Sequence, residues 1–487
     1  MFQNNLLMGA ASISTDAAYD IPYSCRFNTA DGAVLSRANG TATSTTTATI
    51  AFWFKIGDLA TSQAFFGAEG FYTGLAFNSS FQLYVAHGSG GATVLTTEQV
   101  FRDPAAWYHC VCVFDSTENA TQDRVKLFIN GEQAAYTAGT FPTSSEAFSA
   151  WNQSGSTNLV GDGHSTYPNY DGYLAEFHST DGTAYGPEKF GEFNNGVWRP
   201  IEVSGVTYGN NGFYFDFSDS GNLGNDVSGN DNDFTSSGLA ANDRMTDTPT
   251  TNYPVWNSVV ANSLNNTATY ANGNLDGSAN SDGGIIATVG VSSGKWYWEF
   301  SPLADQYQIP GMVSNTVVDG GDMVDSGTAG GFNGYSDGPV YGYYGADGEK
   351  YDNSSTASYG DTFTSGDVIG VAFDADNGIL WYAKNGTYQN SATIAEVEAG
   401  TTTNAAFSSI DTTLTWFPFF HNFNSTAAAA NFGQQDFSHT VPTGFNKINS
   451  ANLPEPTIKN SKKYFDTILY EGTGTGQKVG QFQPITE

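Results

Sequence analysis

The sequence is poor in basic residues and in long apolar runs. It has 17 Lys and Arg against 49 Asp and Glu, which gives a net charge of −32 over 487 residues. Such a charge repels nucleic acid and anionic membranes, so neither is expected as a partner. No segment approaches the roughly 18 apolar residues that cross a bilayer, so membrane insertion is not expected. The opening MFQNNLLMGAAS has no basic region, and we therefore expect no secretory signal.

Cysteine is also scarce, at three residues. Cys110 and Cys112 stand two apart on one predicted strand and therefore face the same side, where a disulfide between them is geometrically poor. We expect buried, reduced thiols, and a pairing of Cys25 with either of them remains open. Nothing in the spacing predicts a disulfide framework or a zinc site.

What the chain does contain is typical of β-structure. Aromatic residues make up 14% and there are 56 glycines, while no long stretch has the apolar periodicity of a helix. The length suits more than one domain. We therefore predict an all-β protein with two tandem antiparallel β-sandwich (jelly-roll) domains, an irregular connector and a short C-terminal tail.

The second half contains a specific series of strand motifs. GKWYWEF (294–300) alternates, with Trp296 and Trp298 on one face and Tyr297 on the other, and we expect both tryptophans to lie in a core together with Trp416. GDVIGVAFDADNGILWYAKNG (366–386) reads as two strands joined by a tight turn at Asp376-Asn377-Gly378. WFPFFHNF (416–423) follows. This order resembles the SPRY domain, which implies a bent β-sandwich used for binding.

The first half has its own series. ATIAFWFKIG (48–57), WYHCVCVFD (107–115), VKLFINGEQ (125–133) with a turn at Asn130-Gly131, and GYLAEFHSTDG (172–182) follow one another as strands. The order resembles the laminin-G-like, concanavalin A-like jelly rolls.

The connector and the tail carry the most specific motifs. DFSDSGNLGNDVSGNDNDF (216–234) and NLPEPTIKNSKKYFDTILYEGTG (452–474), with the opening MFQNNLLMGAA, resemble a family of bacteriophage tail and virion-surface proteins that has these domains in the same order. The expected division is an attachment segment (1–22), a laminin-G-like sandwich (23–217), a connector that lies against both domains (218–262), a SPRY-like sandwich (263–450) and a tail (451–487), which in one interpretation docks as a strand on a neighbouring subunit.

Catalytic patterns are weak. A glycanase needs two carboxylates at a defined separation, and only Glu396 and Glu398 have the spacing, on what reads as a solvated loop or strand edge. There is no nucleophile elbow and no cysteine with a histidine partner, because alternation sends His109 and Cys110 to opposite faces. We expect no enzymatic activity; a glycan depolymerase on the concanavalin-like fold is the alternative.

Calcium is the one inorganic ligand that the sequence suggests. DVSGNDNDF places several oxygen-bearing side chains in one loop, as calcium requires. These candidate calcium ligands are Asp226, Asn230, Asp231 and Asp233. A second candidate rim contains Asp162 and Asp171. For both, the alternative is Asx-turns in which the side chains bond to their own backbone.

Saccharides are the expected organic ligands, because aromatic rings stack on pyranose faces and Asp, Asn and His bond to hydroxyls. In the first domain the candidates are His164, Tyr167, Tyr170 and Asp171. In the second domain they are Tyr341, Tyr343, Tyr344, Asp347 and Tyr351. The alternative is that these tyrosines pack loops against the sandwich or against a neighbouring subunit.

Together these observations predict a non-enzymatic bacteriophage virion-surface protein, such as a tail fibre, spike or capsid-attached adhesin. The expected partners are other virion proteins, a host-surface glycan or receptor, and copies of the same chain, with a trimer favoured. The expected location is the virion, after synthesis in the host cytoplasm. A purely structural decoration or assembly role is the close alternative.

Overall fold

The protein is described by a computed structural model. It covers residues 19–59, 62–68, 74–87, 92–148, 151–163, 169–259, 268–279, 283–320, 338–353 and 355–454. The fold is nearly all β, as predicted from composition. Within these ranges, no helix is long and apolar enough to cross a membrane.

The first part of the described chain contributes strands up to residue 245. They are β1 (Ser24–Phe27), β2 (Val34–Ala38), β3 (Thr47–Ile56), β4 (Gln63–Ala68), β5 (Gly74–Phe77), β6 (Gln82–His87), β7 (Ala92–Val100), β8 (Tyr108–Asp115), β9 (Val125–Ile129), β10 (Glu132–Gln133), β11 (Tyr136–Ala138), β12 (Thr157–Val160), β13 (Gly172–Asp181), β14 (Gly191–Asn194), β15 (Val197–Pro200), β16 (Phe213–Phe215), β17 (Thr235–Ser237) and β18 (Arg244–Met245).

These strands form two large sheets and a small hairpin. One sheet has the order β10-β9-β8-β3-β13-β1-β18, with β16 also paired to β13, and the other has the order β11-β7-β6-β5-β4-β12-β2-β17. The hairpin is β14-β15. Inward side chains of both large sheets share one core, to which β3 contributes Ile50, Phe52 and Phe54 by strict alternation.

The second part of the described chain contains short helices as well as strands. The elements are β19 (Thr269–Ala271), β20 (Asp276–Ser278), β21 (Gly283–Ile286), β22 (Lys295–Pro302), β23 (Gln308–Ser314), α1 (Asn315–Gly320), β24 (Val340–Tyr343), β25 (Glu349–Asp352), β26 (Thr356–Ser358), β27 (Ile369–Asp374), β28 (Ile379–Lys384), β29 (Thr387–Tyr388), α2 (Ile394–Ala399), β30 (Phe407–Ser408), β31 (Trp416–Asn422), β32 (Ala428–Asn431) and β33 (Asn446–Lys447).

The second sandwich also has two sheets. Their orders are β19-β20-β32-β22-β27-β28-β29, with β30 on β28 and β33 on β22, and β21-β31-β23-β24-β25-β26. Trp296, Trp298 and Trp416 lie in the core between them, while Tyr297 packs on the outer face of its sheet. The predicted positions of these four aromatic residues are confirmed.

Both predicted hairpins are present, but only the first has the predicted tight turn. Asn130 (φ 48°) and Gly131 (φ 81°) both take the left-handed conformation that a two-residue turn between β9 and β10 requires. The turn between β27 and β28 is longer, because Asp374 pairs with Ile379 and only Gly378 (φ 65°) has positive φ. The predicted hairpin exists, but its turn has four residues.

All three cysteines are buried and free. Burial raises the pKa of each thiol, so the reactive thiolate is disfavoured. The expected reduced core thiols are confirmed, and the open pairing of Cys25 is not formed.

The described part of the connector, residues 218–259, lies against both sandwiches. Its strands β17 and β18 pair with β2 and β1 of the first domain, whereas its Trp256 is part of the second core. The Lys55 ammonium group is fully buried and donates to Asp247 Oδ2 (2.8 Å), to Asn252 Oδ1 (2.8 Å) and to the Tyr253 carbonyl oxygen (2.7 Å). A buried charge needs such partners, so Lys55 anchors the connector on β3.

Candidate ligand-binding surface

Of the candidate saccharide residues of the first domain, the two that the structure describes are buried. His164 and Tyr167 lie outside the described residues. Tyr170 is fully buried; its hydroxyl donates to the Lys55 carbonyl oxygen (2.7 Å), and its ring lies 4.6 Å from that of Phe65. The expectation that Tyr170 presents a ring to a sugar is therefore corrected: the ring faces the core.

Asp171, the next residue, is also buried and bonded within the fold. Its carboxylate accepts the backbone N–H groups of Thr29 (3.4 Å) and Asp58 (3.3 Å). Burial, and then the neighbouring Asp58, raise the pKa of Asp171 to about 6. This carboxylate holds two loops together at the start of β13 instead of facing solvent, so its predicted ligand role is also corrected.

The five candidates of the second domain are split between two faces of the β24–β25 hairpin. Tyr341 and Tyr343 share one face because they are two apart on a strand, and both pack on the inner core. Tyr343 is fully buried and its hydroxyl donates to the Asp361 carbonyl oxygen. Tyr351 pairs with Gly342 and therefore faces the opposite, outer side together with Tyr344. Tyr341 and Tyr343 therefore follow the alternative stated above, in which tyrosines pack against the sandwich, and their predicted ligand role is corrected.

Tyr344 is the centre of an aromatic cluster on that outer side. Its ring lies 5.5 Å from the ring of Tyr351 and 5.3 Å from that of Phe423, at steep edge-to-face angles. Both Tyr344 and Phe423 remain half-buried, so part of each ring faces solvent. Tyr307, on the β22–β23 loop, is 37% exposed.

Three loops meet at this end of the sheet because of the strand register. Gln308 at the start of β23 pairs with Asn422 at the end of β31, and the Gly345 N–H donates to the Gln308 carbonyl oxygen (3.1 Å). The loops at 303–307, 344–348 and 423–427 are thereby brought together. We call the group that they present the aromatic end surface; its members are Asp305, Tyr307, Tyr344, Asp347, Phe423 and Asn424.

The first of its two carboxylates belongs to Asp305. Oδ1 accepts the Tyr307 backbone N–H (2.9 Å) and the Thr426 hydroxyl (3.1 Å), and Oδ2 accepts the Asn424 amide (3.4 Å). These bonds fix the Tyr307 loop against the loop that follows β31. Asn424 itself is exposed, which leaves an amide beside the aromatic rings.

The second carboxylate, Asp347, lies at the tip of the β24–β25 turn and is exposed. Its Oδ1 accepts the Glu349 backbone N–H (2.8 Å) and its Oδ2 accepts the Tyr351 hydroxyl (2.7 Å). A carboxylate oxygen has more than one lone pair, so both oxygens retain capacity to accept from a ligand hydroxyl.

The neighbouring residues of the aromatic end surface affect the pKa of Tyr344. Burial raises the pKa of Tyr344 to about 12, with further increases from Asp347, Tyr307 and Asp305. All three therefore act on one hydroxyl, which stays neutral near pH 7 and can both donate and accept. The surface combines partly exposed rings with fixed hydrogen-bonding groups, as a saccharide site requires.

Sequence reasoning missed Asp305, Tyr307, Phe423 and Asn424. Asp305 lies two residues before Tyr307 and accepts its N–H, a spacing typical of an Asx-turn. That signal was readable in the loop between two aromatic strands. What the sequence did not show is that this loop meets the turn at Asp347.

The predicted calcium loop is bonded to its own backbone. Asp226 Oδ1 accepts the N–H groups of Tyr214 and Ser228, and its Oδ2 accepts the N–H of Asn232 (2.8 Å) and the Ser228 hydroxyl. The Asp233 carboxylate accepts the Asp226 N–H (2.8 Å). This is the Asx-turn alternative stated above.

The remaining candidate ligands do not converge on a common point. The Asn230 amide donates to the carbonyl oxygens of Gly209 and Gly212, and Asp231 is exposed. On the second candidate rim, Asp162 accepts the Gly163 N–H (2.6 Å). In the part of the chain that the structure describes, no group of three or more His, Cys, Asp or Glu residues could hold a metal ion.

Glu396 and Glu398 lie on helix α2 rather than on a loop or strand edge. Glu396 forms a capping box with Thr393, whose N–H and hydroxyl lower the pKa of Glu396. Glu398 accepts the Thr443 N–H (2.7 Å), which lowers its pKa. Residues two apart on a helix do not face each other, so this spacing does not make a catalytic pair.

Comparison with known proteins assigns both domains. Residues 27–183 match the profile of the concanavalin A-like lectin/glucanases superfamily, and residues 295–435 match that of the SPRY domain. The chain carries a concanavalin A-like domain and a SPRY domain. Both predicted domain types are confirmed.

Solved structures with partial similarity include three proteins. The SPRY domain of human HERC1 is 17% identical over 33% of this chain and 91% of that chain, with a TM-score of 0.23. A proposed carbohydrate-binding protein from Bacteroides ovatus is 14% identical over 45% and 58%, with a TM-score of 0.33. A heptameric SAP-like pentraxin from Limulus polyphemus is 13% identical over 34% and 80%, with a TM-score of 0.25. At these TM-scores the similarities support no inference about ligands.

Proposed function

We propose that this protein is a non-enzymatic bacteriophage virion-surface protein that binds host glycans through the aromatic end surface of its SPRY domain. The virion assignment rests on the connector and tail motifs of the sequence. The binding assignment rests on the surface itself. Other virion proteins and further copies of the chain, in a trimer, complete the proposed assembly.

The observation that carries the binding proposal is the convergence of Tyr307 and Tyr344 with two fixed carboxylates. Stacking on a sugar ring needs an exposed aromatic face, and selectivity needs polar groups whose positions are set in advance. Asp305 and Asp347 are held by backbone and hydroxyl donors before any ligand arrives. Little ordering entropy remains to be lost on binding.

The absence of enzymatic activity is proposed on the state of the candidate catalytic groups. Burial, and then His178, lower the pKa of His109 to about 3, so its imidazole is neutral and in the protein interior. The cysteines are buried and protonated. Of the two carboxylates with glycanase-like spacing, Glu396 caps its helix and Glu398 accepts the Thr443 N–H.

The test is binding of the purified protein to a glycan array and to whole host cells. We expect the double variant Tyr307→Ala/Tyr344→Ala to lose at least about tenfold in affinity, because each stacked ring contributes on the order of 1 kcal/mol or more. Phe193→Ala is the matched control: it removes another aromatic side chain, 48% exposed, from β14 of the first domain. Its binding should equal that of the wild type.

Three outcomes contradict parts of the proposal. If the double variant still binds but variants of the first domain do not, the binding site lies in the first domain. No binding by a folded protein would favour a structural virion component. Release of reducing sugar from host polysaccharide would establish a depolymerase. Antibody labelling of intact particles in electron microscopy tests the virion location, and analytical ultracentrifugation tests the trimer.

A further inference from the structure

We propose that the aromatic end surface selects saccharides by charge, preferring amino-substituted sugars to neutral ones and neutral sugars to sulfated or uronate-bearing ones. This inference rests on the glycan-binding function proposed above and adds the chemical class of the ligand. It follows from the charges placed around the exposed rings.

Among the described residues, neither carboxylate of the surface is paired with a cation. Asp305 accepts only from a backbone N–H, a hydroxyl and an amide, and Asp347 accepts from a backbone N–H and a phenol. None of these donors is a cation. Among the described residues, the ion pairs involve other acidic groups.

The lysines of β25 and β28 are directed elsewhere. Lys350 pairs with Tyr343 in the β24–β25 hairpin, so it lies on the opposite face from Tyr351. Its ammonium group donates to the Ala406 carbonyl oxygen and lies 5.2 Å from the centre of the Phe407 ring. Lys384 donates to the Thr362 carbonyl oxygen (2.7 Å) and pairs with Asp367.

The field of the whole protein has the same sign. With a net charge of −32, the chain repels polyanions and attracts cations. An uncharged or cationic occupant is therefore favoured at an exposed aromatic surface flanked by carboxylates. Sulfate or uronate groups would be brought next to Asp305 or Asp347 without a compensating cation.

The test uses one saccharide backbone in three charge states: oligomers of glucosamine, of N-acetylglucosamine and of N-sulfoglucosamine, all of equal length. For the wild-type protein at low salt, we expect affinity to fall about fivefold at each step of that series, since one unit charge at contact distance in water changes the energy by about 1 kcal/mol. In about 0.5 M salt the differences should shrink to less than about twofold, because the charges are then screened.

Two variants assign the effect to the surface. Asp305→Asn/Asp347→Asn should reduce the ratio of amino-sugar to sulfated-sugar affinity by about fivefold, and that ratio, not either affinity, is the readout. Asp411→Asn is the matched control. It removes one charge from an exposed turn of the same kind, in which Asp411 accepts the Thr413 N–H and hydroxyl, before the opposite end of β31. Its ratio should stay within about twofold of the wild-type ratio.

The proposal is overturned if the sulfated oligomer binds as well as the amino oligomer, if salt leaves the order unchanged, or if the double variant keeps the wild-type ratio. Failure of all three oligomers to bind at millimolar concentration also overturns it. That result would leave the proposed glycan-binding function to be judged by the array and cell assays, so the two failures are distinguishable. The salt series uses the wild-type protein and does not depend on the stability of any variant.

Discussion

The two predicted saccharide loops have nearly the same composition but opposite roles. Around Tyr170 and Asp171, the tyrosine ring faces the first core and the carboxylate bonds to backbone N–H groups inside the fold. Around Tyr344 and Asp347, the ring remains partly exposed and the carboxylate lies at an exposed turn. A loop rich in Tyr and Asp therefore does not by itself indicate a binding site.

The difference originates in how each loop joins its sheet. Tyr170 lies two residues before the start of β13. Its backbone N–H donates to the Gly161 carbonyl oxygen, and its side chain lies in the core between the two sheets. Tyr344 lies in the turn after β24, where it packs beside Tyr351 and Phe423 on the outer side of its sheet and not between the two sheets. Its ring therefore stays partly exposed.

The largest expected contrast is in stability. Tyr170→Ala should lower the free energy of unfolding by about 3–5 kcal/mol, because it leaves a cavity in a close-packed core. Tyr344→Ala should lower it by only about 1 kcal/mol, because the ring is half-buried. Denaturant titration of both variants measures the difference.

Tyr170→Phe separates the ring from the hydroxyl. It keeps the packing but removes the bond to the Lys55 carbonyl oxygen, and should cost about 1–2 kcal/mol. Equal losses for Tyr170→Ala and Tyr344→Ala would contradict the comparison between the two loops.

The next contrast is in pH dependence. The pKa of Asp171 is about 6 in the fold against an ordinary value of 3.8, so the folded protein holds this proton more tightly than the unfolded chain. The stabilisation is complete below about pH 3.8 and is lost as the pH rises through 6, by at most about 3 kcal/mol. Asp171→Asn should remove this dependence.

Thermal unfolding of Asp171→Asn and of the wild type between about pH 4 and pH 8 measures it. The stability of the variant relative to the wild type should increase with pH over that range. If the difference in stability between the variant and the wild type is constant with pH, or decreases, then the pKa of Asp171 is not raised in the folded protein.

The smallest effects concern the connector loop at Asp226. Asp226→Ala should cost about 1–2 kcal/mol, because four donors lose their acceptor. Chelation by EDTA should change the melting temperature by less than about 1 °C, since the carboxylate is already satisfied by the protein. A calcium-dependent rise in the melting temperature would restore the metal-binding interpretation.

Several features of the fold could be predicted because their signals are local. Strand alternation gave the opposite faces of Trp296 and Tyr297 and the buried position of the cysteines. Asn130-Gly131 indicated a tight hairpin because few other residue pairs accept two positive φ angles. The sequence of helix α2 also contained a signal, the Thr393–Glu396 capping box. The helix has only six residues, which is too short to show an apolar periodicity.

The candidate site was predicted only in part, and for a physical reason. Tyr344, Asp347 and Tyr351 belong to one hairpin and were found from composition, whereas Asp305 and Phe423 lie far away in sequence. Their proximity depends on the register of β23 with β31, a long-range pairing to which no short window of sequence is sensitive. Residues 1–18 of the attachment segment and 455–487 of the tail, like His164 and Tyr167, lie outside the described residues, and the predictions made for them stand as predictions.

The amino-acid sequence by itself determined the β-class, the two domain types, the faces of the main strands and the strongly negative charge, because periodicity, turn residues and ionisable groups act over a few residues. Only the tertiary structure decided which tyrosines lie in the core and which remain at the surface. It also decided that the Asp226 carboxylate accepts hydrogen bonds from the backbone. Those outcomes depend on which loops meet in space and which polar groups find partners there, and both are properties of the packed sheets rather than of any one segment.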